Sequence, residues 1–343
     1  MNPIPVERTA HSRISTIDFT NLGFGNHISD HMLVADYKNG KWHEPKVIPY
    51  GDMAMSPAML SLHYGQAIFE GMKAFKNKDG ELVIFRPQRH YQRLLKSLER
   101  MCMPAMSEEF FIQSLNAVIN VDEAWVPTSE GSSLYLRPFI FATEARLGVK
   151  ISDEYKFIII TSPVGPYFAK PVRVKVEEHY VRAAEGGTGF AKCAGNYGGA
   201  FYPTQLAKEQ GFDQVLWTDA RDHQYIDESG AMNVMFVLNG TLITPQLTSA
   251  ILDGITRNSL LTLATKMGIP VEERKVSVAE VKEGLKKGTL TEAFGVGTAA
   301  VISTIAAINI SGEEFTLPVA DGKSIQLRLK KKLEDIRHGY EPD

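Results

Sequence analysis

Short runs of alternating apolar and polar residues recur along this chain. "HMLVADY" (residues 31–37), "ELVIFRP" (81–87), "SSLYLRPFIFAT" (132–143) and "EYKFIIITSP" (154–163) predict strands, because a period near two sends successive side chains to opposite faces. Tyr91, Leu94, Leu95, Leu98 and Met101 instead recur at helical spacing, and the helix they predict carries Arg89 and Arg93 beside its apolar stripe. A second helix is expected after Ser107, with Phe111, Leu115 and Val118 inward. The pattern breaks at "SPVGPYFAKP" (162–171), where prolines and a glycine interrupt it. The expected division is a first domain over 1–163, a linker at 164–172 and a second domain over 173–343.

Beyond the break, "QVLWTD", "YIDE" and "NVMFVLNGTLITP" read as strands, the last folding back at Asn239-Gly240. One helix is expected after Thr256, stopping at Gly268. Another begins at Ser277, where Glu280 completes a capping box, and a C-terminal helix buries Leu329, Leu333 and Ile336. Helices and hairpin-joined strands together predict a mixed α/β or α+β architecture in two domains.

Composition narrows the function. A chain of 343 residues with 44% hydrophobic and 22% charged residues is an ordinary globular protein. A net charge of -3 gives no electrostatic footprint for nucleic acid or an anionic membrane, so the expected partner is a small molecule or another protein. Cys102 and Cys193 support neither a disulfide framework nor a zinc site. The N-terminal residues do not read as a signal peptide, and no run approaches the roughly 20 apolar residues of a membrane helix. The expected location is the cytoplasm.

The stretch "GTGFAKCAGNYGGAF" (187–201) holds Lys192 among small residues. A desolvated lysine is a nucleophile that condenses with carbonyls, and small neighbours leave space for a flat ring. On spacing alone, a solvated loop lysine is the commoner case. Other segments add to it. In "LDGITRNSLL" a glycine-led turn opens a helix at Thr256, which suits an anion or simply a helix cap. "FGVGTAAVIS" brings Gly295, Gly297 and Thr298 to a turn. In "LYLRPFIF" Tyr135 and Arg137 share one strand face and suit a carboxylate, or are exposed side chains lying along the sheet. Glu228 in "YIDESGAMN" is by itself a turn carboxylate. A dinucleotide reading of "FGVGTAAVIS" fails because β-branched residues follow where a helix should open, and "ADGKS" has Leu317 where a phosphate loop needs glycine. His27 and His31 lack companions for a metal site.

In one consistent order, "LHYGQAIFEGMKAF", "RHYQRL", "LYLRP", "SPVGPYF", "GTGFAKCAGNYGGAF", "YIDESGAMN", "LDGITRNSLL" and "GVGTAA" resemble the class IV aminotransferases that use pyridoxal 5'-phosphate, most specifically the branched-chain amino acid aminotransferases. The resemblance implies fold type IV, with a smaller N-terminal α/β domain and a larger C-terminal domain built on a mixed, barrel-like sheet. It makes Lys192 the Schiff-base lysine and proton carrier. It places Arg93, Thr256, Thr298 and the N–H groups of Ile255 and Thr256 on the cofactor phosphate. Glu228 is placed at the pyridine nitrogen, Tyr197 at the ring hydroxyl, and Asn233 in the same cofactor set. Tyr135, Arg137 and the backbone of Thr298 and Ala299 would anchor the substrate carboxylate, while Tyr64, Phe69, Tyr167 and Tyr197 would line the side-chain pocket. The implied reaction passes amino groups from leucine, isoleucine and valine to 2-oxoglutarate in a homodimer or higher homo-oligomer. D-amino acid aminotransferase and aminodeoxychorismate lyase are alternatives of the same fold. Some animal members carry a Cys-x-x-Cys pair where this chain has Ala300 and Ser303, so a redox switch of that kind is not expected.

Overall fold

The computed structural model describes residues 3–166 and 170–342. Tyr167, one of the expected pocket residues, lies outside them. The chain forms two compact units of similar length: Met1–Tyr167 with Ala191–Gly195 and Arg337–Gly339, and Phe168–Phe190 with Asn196–Ile336 and Tyr340–Asp343. The segment that carries Lys192 therefore groups with the first unit, although the sequence pattern alone put residues 173–343 together.

The first unit contains β1 (His31–Lys38), β2 (Lys41–Trp42), β3 (Lys46–Pro49), α1 (Leu60–Tyr64), β4 (Ala67–Phe69), β5 (Met72–Lys76), β6 (Leu82–Ile84), α2 (Pro87–Arg100), α3 (Glu108–Val121), β7 (Ser133–Ala142) and β8 (Tyr155–Val164). The strands form an antiparallel sheet in the order β2-β1-β8-β7-β5-β6, with β3 on β1 and β4 on β7. Leu134 and Leu136 of β7 join Phe157 and Ile159 of β8 on the face where Leu94 and Leu98 of α2 and Phe111, Leu115 and Val118 of α3 close the core. Ser107 caps α3, accepting from Phe110 N. β8 runs to Val164, so the strand continues through the first residues of the expected break.

The second unit contains β9 (Val172–Val176), α4 (Gly195–Gly198), α5 (Phe201–Glu209), β10 (Gln214–Thr218), β11 (Ile226–Ser229), β12 (Asn233–Leu238), β13 (Thr241–Pro245), α6 (Ile255–Lys266), β14 (Val271–Arg274), α7 (Val278–Lys287), β15 (Leu290–Gly297), β16 (Val301–Ile310), β17 (Glu313–Thr316) and α8 (Ile325–Arg337). Its mixed sheet runs β11-β10-β9-β16-β15-β12-β13-β14, with β17 on β16. Asn239 and Gly240 both take positive φ (51° and 79°), the conformation of a tight two-residue hairpin. Ser277 caps α7 through Glu280 N at 3.0 Å, but the Glu280 carboxylate accepts the two ends of the Arg274 fork, so the reciprocal half of the expected capping box goes to Arg274. In α8 Leu329 and Leu333 are buried. Ile336 is only half-buried, and the buried neighbour is Arg337, whose guanidinium lies 4.7 Å from the Phe85 ring centroid. Among the described residues no helix is long and apolar enough to cross a membrane.

Candidate active site

Lys192 is positioned by its backbone. Phe69 N donates to Lys192 O and Ala194 N to Ala67 O, each at 3.0 Å, while Ile68 and Cys193 form an antiparallel bridge. From the other side, Lys192 N donates to Ser97 Oγ of α2 at 2.9 Å. Residues 191–194 thus form an added strand segment on β4, and the lysine side chain leaves from a fixed point. It is half-buried, with Nζ 4.7 Å from the Phe69 ring centroid. The Arg137 guanidinium lies 4.6 Å from the same ring.

Arg93 and Arg89 part company in the folded chain. Arg89 is exposed, whereas Arg93 is buried and donates Nε to Glu70 Oε1 and Nη2 to Glu70 Oε2, both at 2.8 Å. His90 Nδ1 meets Glu70 Oε2 at 2.8 Å. Burial alone would raise the Glu70 pKa, but the Arg93 charge and the bonds from Arg93 and His90 hold it far below the usual carboxylate range. Burial drives the His90 pKa down against the pull of Glu70. Neither Glu70 nor His90 was picked out from the sequence. The available signals were a glutamate inside the apolar run "AIFEGM" and the one-turn spacing of His90 and Arg93.

Tyr135 and Arg137 do share a face of β7, and Arg137 Nη2 donates to the Tyr135 hydroxyl at 3.1 Å. Among the described residues the buried Arg137 Nε has no hydrogen-bond partner, a donor that suits an anionic ligand. Gly71 keeps the tyrosine in place, since a Cβ there would lie 1.9 Å from Tyr135 Oη. Tyr64 is 41% exposed at the end of α1, and its hydroxyl donates to Leu147 O at 2.5 Å.

In the second unit Glu228 of β11 is buried and meets Arg182, Asn233 and Leu252. Arg182 Nε is 2.5 Å from Oε2, Asn233 Nδ2 donates to Oε1 at 2.9 Å, and Leu252 N reaches Oε1 at 3.3 Å. Arg182, which the sequence did not single out, also donates to Ala250 O and Gly189 O. Gly189 is glycine because a Cβ would meet Ala250 O at 2.3 Å, so this small residue beside Lys192 serves chain packing. The second Asn233 amide hydrogen goes to Leu252 O at 2.8 Å, and its Oδ1 abuts Gly254. Asn233 is thus tied to Glu228 and to the turn that opens α6.

That helix begins at Ile255, with Gly254 as N-cap and no side-chain cap, and Thr256 is buried. Its first-turn N–H groups are therefore available to an anion. Asn233 pairs with Val296 of β15, and residues 298–300 make the turn into β16, bringing Thr298 and Ala299 to that end of the sheet. Gly295 lies within β15, where a Cβ would strike Met232, rather than at the turn itself. Val301 closes the turn at φ 60°, a costly conformation for a β-branched residue and one that pins the turn's geometry. Tyr197 is half-buried in α4.

Asp227, next to Glu228 on the strand, is pushed up to about 7 by burial and by the Glu228 charge. Its folded pKa exceeds its unfolded one, so its stabilising protonation is complete below about pH 4 and lost as pH rises through neutrality. Asp227→Asn is expected to exceed the native protein in stability at pH 8 by roughly 2 to 4 kcal/mol and to match it near pH 4, as read by urea unfolding. Glu70 and His90 contribute equally to both proteins, so the difference isolates Asp227.

Each unit carries groups of a kind that suits a phosphorylated pyridine aldehyde: the first a half-buried primary amine and a buried guanidinium, the second a helix start without a side-chain cap and a buried carboxylate. Residues 67–308 match the family described as amino-transferase class IV. Over 329 residues the chain is 45% identical to branched-chain-amino-acid transaminase 1 of Bacillus subtilis (strain 168), spanning 94% of this chain and 92% of that protein. The structure of the branched-chain aminotransferase of Thermoproteus uzoniensis with norvaline is similar at a TM-score of 0.74 and 25% identity, covering 91% of this chain and 96% of that one. The branched-chain amino acid aminotransferase from Thermobaculum terrenum in its PLP form shares the fold at a TM-score of 0.74 and 22% identity, over 90% and 94% of the two chains.

Proposed function

Because the chain belongs to the class IV aminotransferases, within their branched-chain-amino-acid group, we propose that it passes the amino group of L-leucine, L-isoleucine and L-valine to 2-oxoglutarate with pyridoxal 5'-phosphate as cofactor. The observation that carries this reading is Lys192, an amine whose backbone is fixed by β4 and Ser97 and whose side chain lies over Phe69.

Bound pyridoxal phosphate supplies a carbonyl that takes up amines and a ring that accepts the electron pair left when an α-proton departs. Lys192 Nζ would take up that proton as base and give it back as acid. Glu228, bonded by Arg182, Asn233 and Leu252 N, would face the ring nitrogen and hold its proton. Asn233 acts through Glu228, and Tyr197 supplies a hydroxyl to the ring oxygen. Arg93, Thr256, Thr298 and the N–H groups of Ile255 and Thr256 hold the phosphate. Arg137, with its buried Nε, and Tyr135 take the substrate carboxylate, assisted by the backbone of Thr298 and Ala299. The family resemblance assigns Tyr64, Phe69, Tyr167 and Tyr197 to an aromatic lining for the side chain. Such a lining separates substrates one methylene apart by only about 1–3 kcal/mol, so all three branched-chain amino acids are used.

A homodimer or higher homo-oligomer in the cytoplasm belongs to the same proposal. The strongly exposed Leu147, Val149 and Ile151 support an association surface on the first unit.

Purified protein assayed with L- and D-amino acids and 2-oxoglutarate tests the proposal. The expected result is visible absorbance bleached by borohydride and amino transfer from all three L-donors at rates within about 100-fold of one another. Turnover of D-donors alone would reassign the substrate, and pyruvate release from aminodeoxychorismate would reassign the reaction.

A further inference from the structure

We propose that Glu70 is the positioning residue of the phosphate grip, acting through Arg93; this inference rests on the pyridoxal-phosphate reading above. Glu70 is fully buried. Its two oxygens take Arg93 Nε and Nη2, one along each, and Oε2 also takes His90 Nδ1. A guanidinium is planar, so fixing two of its nitrogens fixes the direction of every N–H it carries. Arg93 is a single rotamer-rich side chain on α2, and Glu70 turns it into a preset fork.

The anchor is itself held by backbone hydrogen bonds. Glu70 N donates to Pro138 O at 2.8 Å, and the preceding residue, Phe69, donates to Lys192 O. Adjacent residues of one short segment therefore set the guanidinium plane and the backbone of Lys192.

The test is the rate at which holoenzyme loses cofactor during dialysis, followed by visible absorbance, for Glu70→Gln, Arg93→Ala and the double variant. Glu70→Gln and Arg93→Ala are each expected to lose cofactor faster by about tenfold or more, and the double variant no more than about twofold faster than Arg93→Ala. A purely structural role would multiply the two effects, which overturns the proposal, as does unchanged retention in Glu70→Gln. Unchanged retention in Arg93→Ala would instead overturn the assignment of Arg93 to the phosphate, and this inference with it. Should Glu70→Gln fail to fold, Glu70→Asp keeps the charge but is one methylene too short for the fork. It is expected to retain its melting temperature more nearly while losing cofactor at the faster rate, and native retention in that variant would overturn the proposal.

Discussion

Replacing Lys192 with alanine is expected to lower amino transfer by on the order of 10⁴-fold or more, because the variant loses both the nucleophile and the proton carrier. The fold should survive, because the bonds that hold this residue run through its N–H and C=O, to Ser97 and Phe69. A truncation effect confined to chemistry is therefore separable from misfolding. Steady-state assays with L-leucine should show residual turnover at background, while thermal melts stay close to those of the native protein. Partial recovery with an added small primary amine would support the proton-carrying role. Native-like turnover would show that the amine at residue 192 is not in the reaction.

Glu228→Gln is expected to slow the half-reaction with L-leucine by about 10² to 10³-fold while cofactor remains bound, because a neutral amide no longer keeps the ring nitrogen protonated. Stopped-flow absorbance measures this directly, and an unchanged rate would remove Glu228 from the ring nitrogen. The substitution also leaves the Arg182 guanidinium without its anion, and breaking a buried pair costs about 3 to 5 kcal/mol. A further consequence is measurable in the same variant. The Glu228 charge helps to raise the Asp227 pKa, so the pH dependence that Asp227 imposes on stability should shrink.

Much of the architecture was legible because it is written in local pattern. The alternation in "SSLYLRPFIFAT" gives β7, Asn239-Gly240 gives the hairpin between β12 and β13, and Ser107 and Ser277 mark the starts of α3 and α7. The resemblance found Lys192, Arg93 and Glu228 through their flanking residues. The residues that support them were not legible, since each acts across distance. Glu70 meets Arg93 from 23 residues away, and Arg182 approaches Glu228 from another part of its unit. Periodicity says that a position faces inward, but not which side chain waits there. The same limit explains Glu280, whose carboxylate found Arg274, and the different fates of Arg89 and Arg93 on one helix. Small residues near Lys192 were read as room for a ring, whereas Gly189 answers to the backbone of Ala250.

The strand segment at residues 191–194 has a consequence for dissecting the protein genetically. A fragment ending near residue 166 would contain β4 but lack the later stretch that pairs with it, exposing Ala67 O and Phe69 N as an unpaired edge. No single cleavage point yields two finished halves. A nascent first unit must wait for residues 191–195 to be synthesised before its sheet is complete, so split versions of this protein should recover only when the upstream piece is supplied with that later stretch.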